Sequence, residues 1–169
     1  AQPTACRCGR LKAIRREVAP PPRCRGAGAF QSALCSRILG AMRIALCSDE
    51  PYPVHAHIRA LLETRGHAVV PFGALESASE EPWALTAERA ALAVVDGGCA
   101  EGIFCCWSGT GICMAANKLA GIRAALCTDP GTAAAARIWN HTNVLCLSNR
   151  TLSNDMAKEV IDTWFDTEI

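Results

Sequence analysis

The sequence predicts an α/β protein: a three-layer α/β/α sandwich built on a five-stranded, parallel, doubly wound (Rossmann-like) sheet. Five short apolar runs recur through residues 42–169, separated by segments with helical spacing. Parallel neighbours need crossovers of about a dozen residues or more, and the separating segments supply them. The runs are continuous rather than alternating, as expected where helices cover both faces of a sheet.

Arg43-Ile-Ala-Leu-Cys47 is the first strand. Val54, Ile58, Leu61 and Leu62 then fall at helical intervals in a segment running to Arg65, with Gly66 as its C-terminal stop. Ala68-Val-Val-Pro71 reads as a short second strand. Residues 82–95 read as a helix with Leu85, Ala91, Leu92 and Val95 on one side. Ile103–Cys106 is the third strand, followed by the small-residue loop Ser108-Gly109-Thr110-Gly111 and a helix ending near Lys118. Ile122–Cys127 is the fourth strand, and Asp129-Pro130 sets up a helix to about Trp139. Asn143–Leu147 is the fifth strand. Ser153 caps a last helix to about Phe165, with Asp155 in its first turn.

Charge divides the chain in two. Residues 1–41 carry eight Arg and Lys against one acid, a net of +7, while the remainder carries nine against fifteen, a net of −6. The first 41 residues lack sustained periodicity and read as a basic extension, disordered or not native to the protein. A targeting peptide is one alternative. A nucleic-acid arm is another, although the segment lacks the aromatics or fold such an arm uses. Residues 42–169 form the domain. No apolar run reaches the roughly 18–20 residues needed to cross a bilayer, so neither a membrane nor nucleic acid is expected as a partner. The eleven cysteines include no Cys-x-x-Cys pair, which argues against a zinc site or a disulfide framework. Several lie in apolar strands as small hydrophobes, and a reducing, cytoplasmic location follows. The glycosylation patterns at Asn140 and Asn149 read there as chance matches.

Ligands of such sheets bind beyond the carboxyl ends of the strands. The most informative stretch is therefore Ile103 to Lys118, where a strand ends at the thiol Cys106 and feeds a glycine-containing loop. Free backbone N–H groups in such loops hold anions and developing oxyanions. A free thiol has a pKa of about 8.5, lowered near helix N-termini or cations. The alternative for Cys106 is an inert core thiol; adjacent Cys105 must then face the other side of the sheet. Asp49 and Glu50 follow a buried strand as possible ligands of hydroxyl groups, or Asp49 caps the helix that starts near Pro51–Pro53. His55 and His57, two apart on a helix, diverge and do not suggest a metal.

The run Met114-Ala-Ala-Asn-Lys-Leu-Ala-Gly-Ile-Arg-Ala-Ala-Leu-Cys127, then Asp129-Pro130, Ala136-Arg137 and Asn140-His-Thr-Asn-Val-Leu145, resembles the ribose-5-phosphate isomerase B / galactose-6-phosphate isomerase (LacAB) family. The likeness covers essentially residues 42–165. It implies a doubly wound fold and a homodimer (or tetramer) with its sites between subunits. It also implies aldose–ketose isomerisation of a small-molecule sugar phosphate through an enediolate, with no metal or organic cofactor. By position, Cys106 falls on the family's catalytic base, and Trp107, Ser108, Gly109, Thr110 and Gly111 fall on the loop that holds the enediolate oxygens. Asp49 and Glu50 fall on an Asp-His pair, Asn140 on a substrate-binding asparagine, and Arg150 on a phosphate-binding arginine.

Three departures stand out. Glu50 replaces a histidine, Trp139 replaces the ring-opening histidine, and Ile112 occupies the place of a base used by one branch. His141, two residues beyond Trp139, is the candidate replacement acid. Arg123, Arg137 and Lys118 are further phosphate candidates behind Arg150. The expected activity is isomerisation of a pentose phosphate such as ribose 5-phosphate, or of a tetrose or hexose phosphate. The alternative is a catalytically impaired sugar-phosphate-binding protein of the same fold.

Overall fold

The computed structural model describes residues 40–168; the basic extension expected over residues 1–41 lies outside them, apart from its last two residues. Eleven elements follow in order: β1 (Arg43–Ser48), α1 (Pro53–Thr64), β2 (Ala68–Gly73), α2 (Ala74–Ser77), α3 (Trp83–Val95), β3 (Glu101–Cys106), α4 (Thr110–Ala116), β4 (Ala124–Leu126), α5 (Pro130–Asn140), β5 (Val144–Ser148) and α6 (Asn154–Asp166). All strand pairs are parallel, in the order β2-β1-β3-β5-β4. The chain winds outward from β1 to β2 and then crosses back to β3. That reversal opens a crevice at the carboxyl ends of β1 and β3.

Two apolar cores cover the sheet. Ile44, Leu46, Ile103, Cys105, Leu145 and Leu147 face α1, α5 and α6. Ala45, Cys47, Phe104, Cys106, Val144 and Cys146 face α3 and α4. The period of two along β3 thus sends Cys105 and Cys106 to opposite layers, as expected. Burial pushes the Cys105 thiol far up, and Cys47 and Cys146 likewise. The caps follow the sequence: Asp129 Oδ1 accepts from Thr132 N at 2.9 Å and Ser153 Oγ from Met156 N at 3.1 Å.

Helix α3 differs from expectation. Its buried residues are Thr86, Ala87, Ala90, Ala91 and Val94, whereas Leu85, Leu92 and Val95 are exposed. This helix packs against both the sheet and α4, and small side chains let the backbones approach. Because α3 is apolar around most of its circumference, periodicity alone misplaced three of the four expected residues, Ala91 being buried. Strand β4 is also shorter than expected, leaving Arg123 just outside the sheet.

Candidate active site

Three neighbouring strands end side by side. Ser48 of β1 pairs with Cys105 of β3, and Cys106 pairs with Ser148 of β5. Asp49 therefore lies level with Cys106 on one side, and Asn149 and Arg150 continue from the strand on the other. Neighbouring strands are about 4.8 Å apart, so these groups share one edge of the crevice.

Cys106 is 4% exposed. Its carbonyl accepts from Gly109 N at 3.2 Å and Asn149 N at 2.9 Å, which ties the strand end to both flanking loops. Trp107 projects outward, and its carbonyl accepts from Ser148 Oγ at 3.0 Å and Arg150 N at 3.1 Å. The Arg150 guanidinium lies over the Trp107 ring, 5.0 Å from its centroid. This cation makes no ion pair among the described residues, so its N–H edges remain available to an anion.

The loop that follows is shaped by close packing. Gly109 has φ +76°, and a Cβ there would fall 2.5 Å from Leu126 Cδ1 and 3.0 Å from the Leu147 backbone. Only glycine fits. Gly109 N is used by the Cys106 carbonyl and Thr110 N donates to Ser108 Oγ at 3.4 Å, whereas Gly111 N, in the first turn of α4, has no partner within that helix. Ser108 Oγ and Thr110 Oγ1 lie 2.6 Å apart and form a hydroxyl pair at the same rim.

On the β1 side, Asp49 is 9% exposed and its Oδ1 is buried with no hydrogen-bond partner among the described residues. Burial raises its carboxyl above the ordinary value, with backbone N–H groups opposing and the charges of Glu50 and Glu80 assisting. Asp49 does not cap α1; Tyr52 holds that position. Glu50 accepts from Tyr52 Oη at 3.0 Å. Gly73, at φ +66°, allows the backbone of β2 to pass so close to Ser48 O that a Cβ would fall 2.5 Å from it. The α2–α3 loop then folds over β1, with Glu81 N donating to Asp49 O at 2.9 Å. A cavity of about 370 Å³ results, lined by Asp49, Glu50, Glu80, Glu81, Pro82 and Trp83.

Asn140 and His141 are not brought to Cys106 within one chain. Helix α5 starts at the carboxyl edge and ends at the amino edge, where Arg123 Nε donates to Asn140 O at 2.5 Å and His141 is exposed with φ +47°. The six residues of β3 put roughly 17–20 Å between the two edges. Of the further phosphate candidates, Arg137 is 7% exposed and committed to Glu101 Oε1 and Thr142 O, each at 2.8 Å. It cannot reach a ligand. Trp139 is 77% exposed, and Ile112, fully buried, is plain core.

Several contributors went unread in the sequence. Asn149 and His55 form a buried pair with Ser48, and Glu80 and Trp83 line the acidic cavity. Asn149 carried a readable signal, a polar residue directly after a buried strand. Among the described residues, no cluster of three or more His, Cys, Asp or Glu side chains has the geometry to hold a metal ion. No helix there is long and apolar enough to cross a membrane.

A family model described as Ribose/Galactose Isomerase matches residues 44–169. The chain belongs to the ribose/galactose isomerase family. Ribose-5-phosphate isomerase B of Escherichia coli strain K12 is 36% identical over 122 residues, which cover 72% of this chain and 81% of that relative. D-erythrulose-4-phosphate isomerase of Pectobacterium atrosepticum is 43% identical over 76 residues, covering 45% of this chain and 50% of the relative. The solved structure of Clostridium thermocellum ribose-5-phosphate isomerase B superposes with a TM-score of 0.70 at 37% identity, covering 75% of this chain and 86% of that one. The family assignment and the α/β fold thus agree with the expectation drawn from residues 114–145.

Proposed function

We propose that this protein is an aldose–ketose isomerase of a sugar phosphate, working through an enediolate with Cys106 as the base. The Cys106 thiolate takes the proton from C2 of the open-chain aldose, and the electrons move toward the C1 carbonyl oxygen. The O2 hydroxyl proton passes to O1, and the same thiol returns its proton to C1 as O2 forms the new carbonyl, leaving the ketose. The Gly111 amide with the Ser108 and Thr110 hydroxyls stabilises the developing oxyanion. A preorganised donor of this kind is worth about 10²–10³ in rate. Asp49 accepts from a sugar hydroxyl, and Arg150, steadied by Trp107, takes the phosphate.

The observation that carries this reading is the alignment of Asp49, Cys106 and Arg150 across three adjacent strand ends beside the Trp107–Gly111 loop, in a chain of this family. Asn140 and His141 lie at the opposite edge. A second copy of the chain, bringing them to the crevice, makes a homodimer with shared sites the assembly that fits. The seven cysteines found free among the described residues accord with a reducing, cytoplasmic location.

Trp139, where the family carries its ring-opening histidine, favours a substrate short enough to stay open, and the tetrose-named relative supports testing one. The decisive panel measures deuterium uptake from solvent at C2 with tetrose, pentose and hexose phosphates. Exchange with at least one is expected; none at high enzyme concentration would refute the reading. The near-complete burial of Cys106 favours one rival, a sugar-phosphate binder without turnover. Calorimetric binding with no exchange would select it.

A further inference from the structure

We propose that Asn149, with Ser48 and His55, is a positioning residue of the isomerase site: a relay of hydrogen bonds through its side chain holds Asp49, Cys106 and Arg150 in register. This rests on the isomerase reading, which gives the three relay residues no part.

Asn149 is the first residue after β5, and it ties together the three strand ends that carry the site. Its backbone N–H donates to Cys106 O at 2.9 Å. Its Nδ2 donates to Ser48 Oγ at 3.1 Å, and its Oδ1 lies 2.8 Å from His55 Nε2. The direction of each bond is fixed by its neighbours. Tyr52 N donates to His55 Nδ1 at 3.1 Å, so the ring proton sits on Nε2 and is given to Asn149 Oδ1. The Ser48 hydroxyl, accepting from Asn149, gives its own proton to Glu50 O at 2.8 Å. The relay thus starts at the amide of Tyr52 and ends at the carbonyl two residues before it, pinning the turn directly after Asp49. Bonds aligned in this way reinforce one another.

The three residues act through their neighbours. Ser48, His55 and Asn149 are 0%, 4% and 6% exposed, with their polar side-chain atoms bonded inside the protein. Asp49 follows Ser48 in the chain, Arg150 follows Asn149, and Cys106 is held by its carbonyl. Arg150 N also donates to Trp107 O at 3.1 Å, which continues the register one residue outward. Apolar side chains of similar shape would fill this interior at little cost in stability, so what the polar relay supplies is geometry. Proton transfer from carbon needs that geometry, since a misplacement of about 1 Å can cost about 10²-fold in rate. The long, mobile Arg150 side chain makes phosphate binding more forgiving. Loss of the relay should therefore lower kcat and leave KM nearly unchanged.

The test measures kcat and KM for isomerisation of D-erythrose 4-phosphate, ribose 5-phosphate and allose 6-phosphate. It uses the full chain as wild type, Asn149→Ala, Ser48→Ala and the double variant, each well below its melting temperature. Asn149→Ala should lose at least about 30-fold in kcat and Ser48→Ala at least about tenfold, with KM within about threefold of wild type. The double variant should lose no more than about threefold beyond Asn149→Ala, because the two residues act as one unit. Should Asn149→Ala fail to fold, Ser48→Ala carries the same test. A further readout needs no turnover: iodoacetamide labelling of the buried Cys106 should quicken at least about fivefold in either single variant. The proposal is overturned by a kcat within about threefold of wild type in both single variants, by a loss confined to KM, or by losses that multiply in the double variant. If wild type converts none of the three sugar phosphates, the isomerase reading alone falls and labelling decides the relay's role. A quickened rate then supports its hold on Cys106, and an unchanged rate ends it.

Discussion

Asn149 Oδ1 lies 2.8 Å from His55 Nε2 in the interior, joining the loop after β5 to the first turn of α1. The same amide donates to Ser48 Oγ at 3.1 Å, and His55 Nδ1 accepts from Tyr52 N at 3.1 Å. With Nδ1 occupied as an acceptor, the network assigns the ring proton to Nε2. The neutral imidazole thus clamps the ends of β1 and β5 on either side of Cys106.

This clamp has a pH signature. Burial holds His55 below the ordinary histidine value, against the opposing bond to Asn149. Burial, then the Arg65 charge, does the same to His67. The unfolded chain therefore binds these protons more readily. The stabilisation is fully present above the unfolded value of about 6.5 and is lost as pH falls through it toward the folded values. Urea midpoints should fall between pH 7 and pH 5, and His55→Gln should flatten that fall.

Gly109→Ala should be severely disruptive. The added methyl meets Leu126 and the Leu147 backbone at a positive φ. A loss of about 2–4 kcal/mol is expected in denaturant titrations, of the size that overpacking and backbone strain give together. Activity should fall with it, because the Ser108–Gly111 loop cannot keep its shape.

Asp49→Asn should separate stability from function. The buried carboxyl group, whose Oδ1 has no partner, contributes stability that is fully present below its unfolded value and lost as pH rises through the raised folded value. At neutral pH the variant should melt about 2–4 °C higher, an advantage that vanishes in acid. Its kcat/KM should drop by at least about tenfold. A lower melting temperature with unchanged kinetics would show that Asp49 is structural.

Among the cysteines of the described residues, Cys113, not Cys106, should be the thiol most open to alkylation. A hydrogen bond with Cys146 lowers it to about 7, burial opposing and Leu126 and Asn117 assisting, and it lines a cavity of about 260 Å³ with Met114, Asn117 and Lys118. Iodoacetamide labelling followed by mass spectrometry should mark it before Cys47, Cys99, Cys105, Cys106, Cys127 and Cys146, with a rate midpoint near pH 7. Faster labelling of Cys106 would contradict the observed burial.

The strands were legible because buried parallel strands are unbroken apolar runs, and the site's centre was legible because polar and small residues follow those runs directly. Cys106, the loop to Gly111, Asp49 and Arg150 all carry that mark. Glu80 and Trp83 do not; they sit in the loop before α3 and at that helix's first residue, more than thirty residues beyond β1, and reach it through the close passage at Gly73. The buried side of α3 was hidden by its nearly uniform apolarity. The distance between Cys106 and Asn140 follows from the direction of α5, which a one-dimensional pattern does not display.

The central claim is that the Cys106 thiol moves the proton. The direct measurement is C2 deuterium exchange by wild type and Cys106→Ser on whichever sugar phosphate binds, with calorimetry on both. Exchange should fall by at least about 10³-fold in the variant while Kd changes less than about threefold. Exchange by the serine variant within about tenfold of wild type would contradict it.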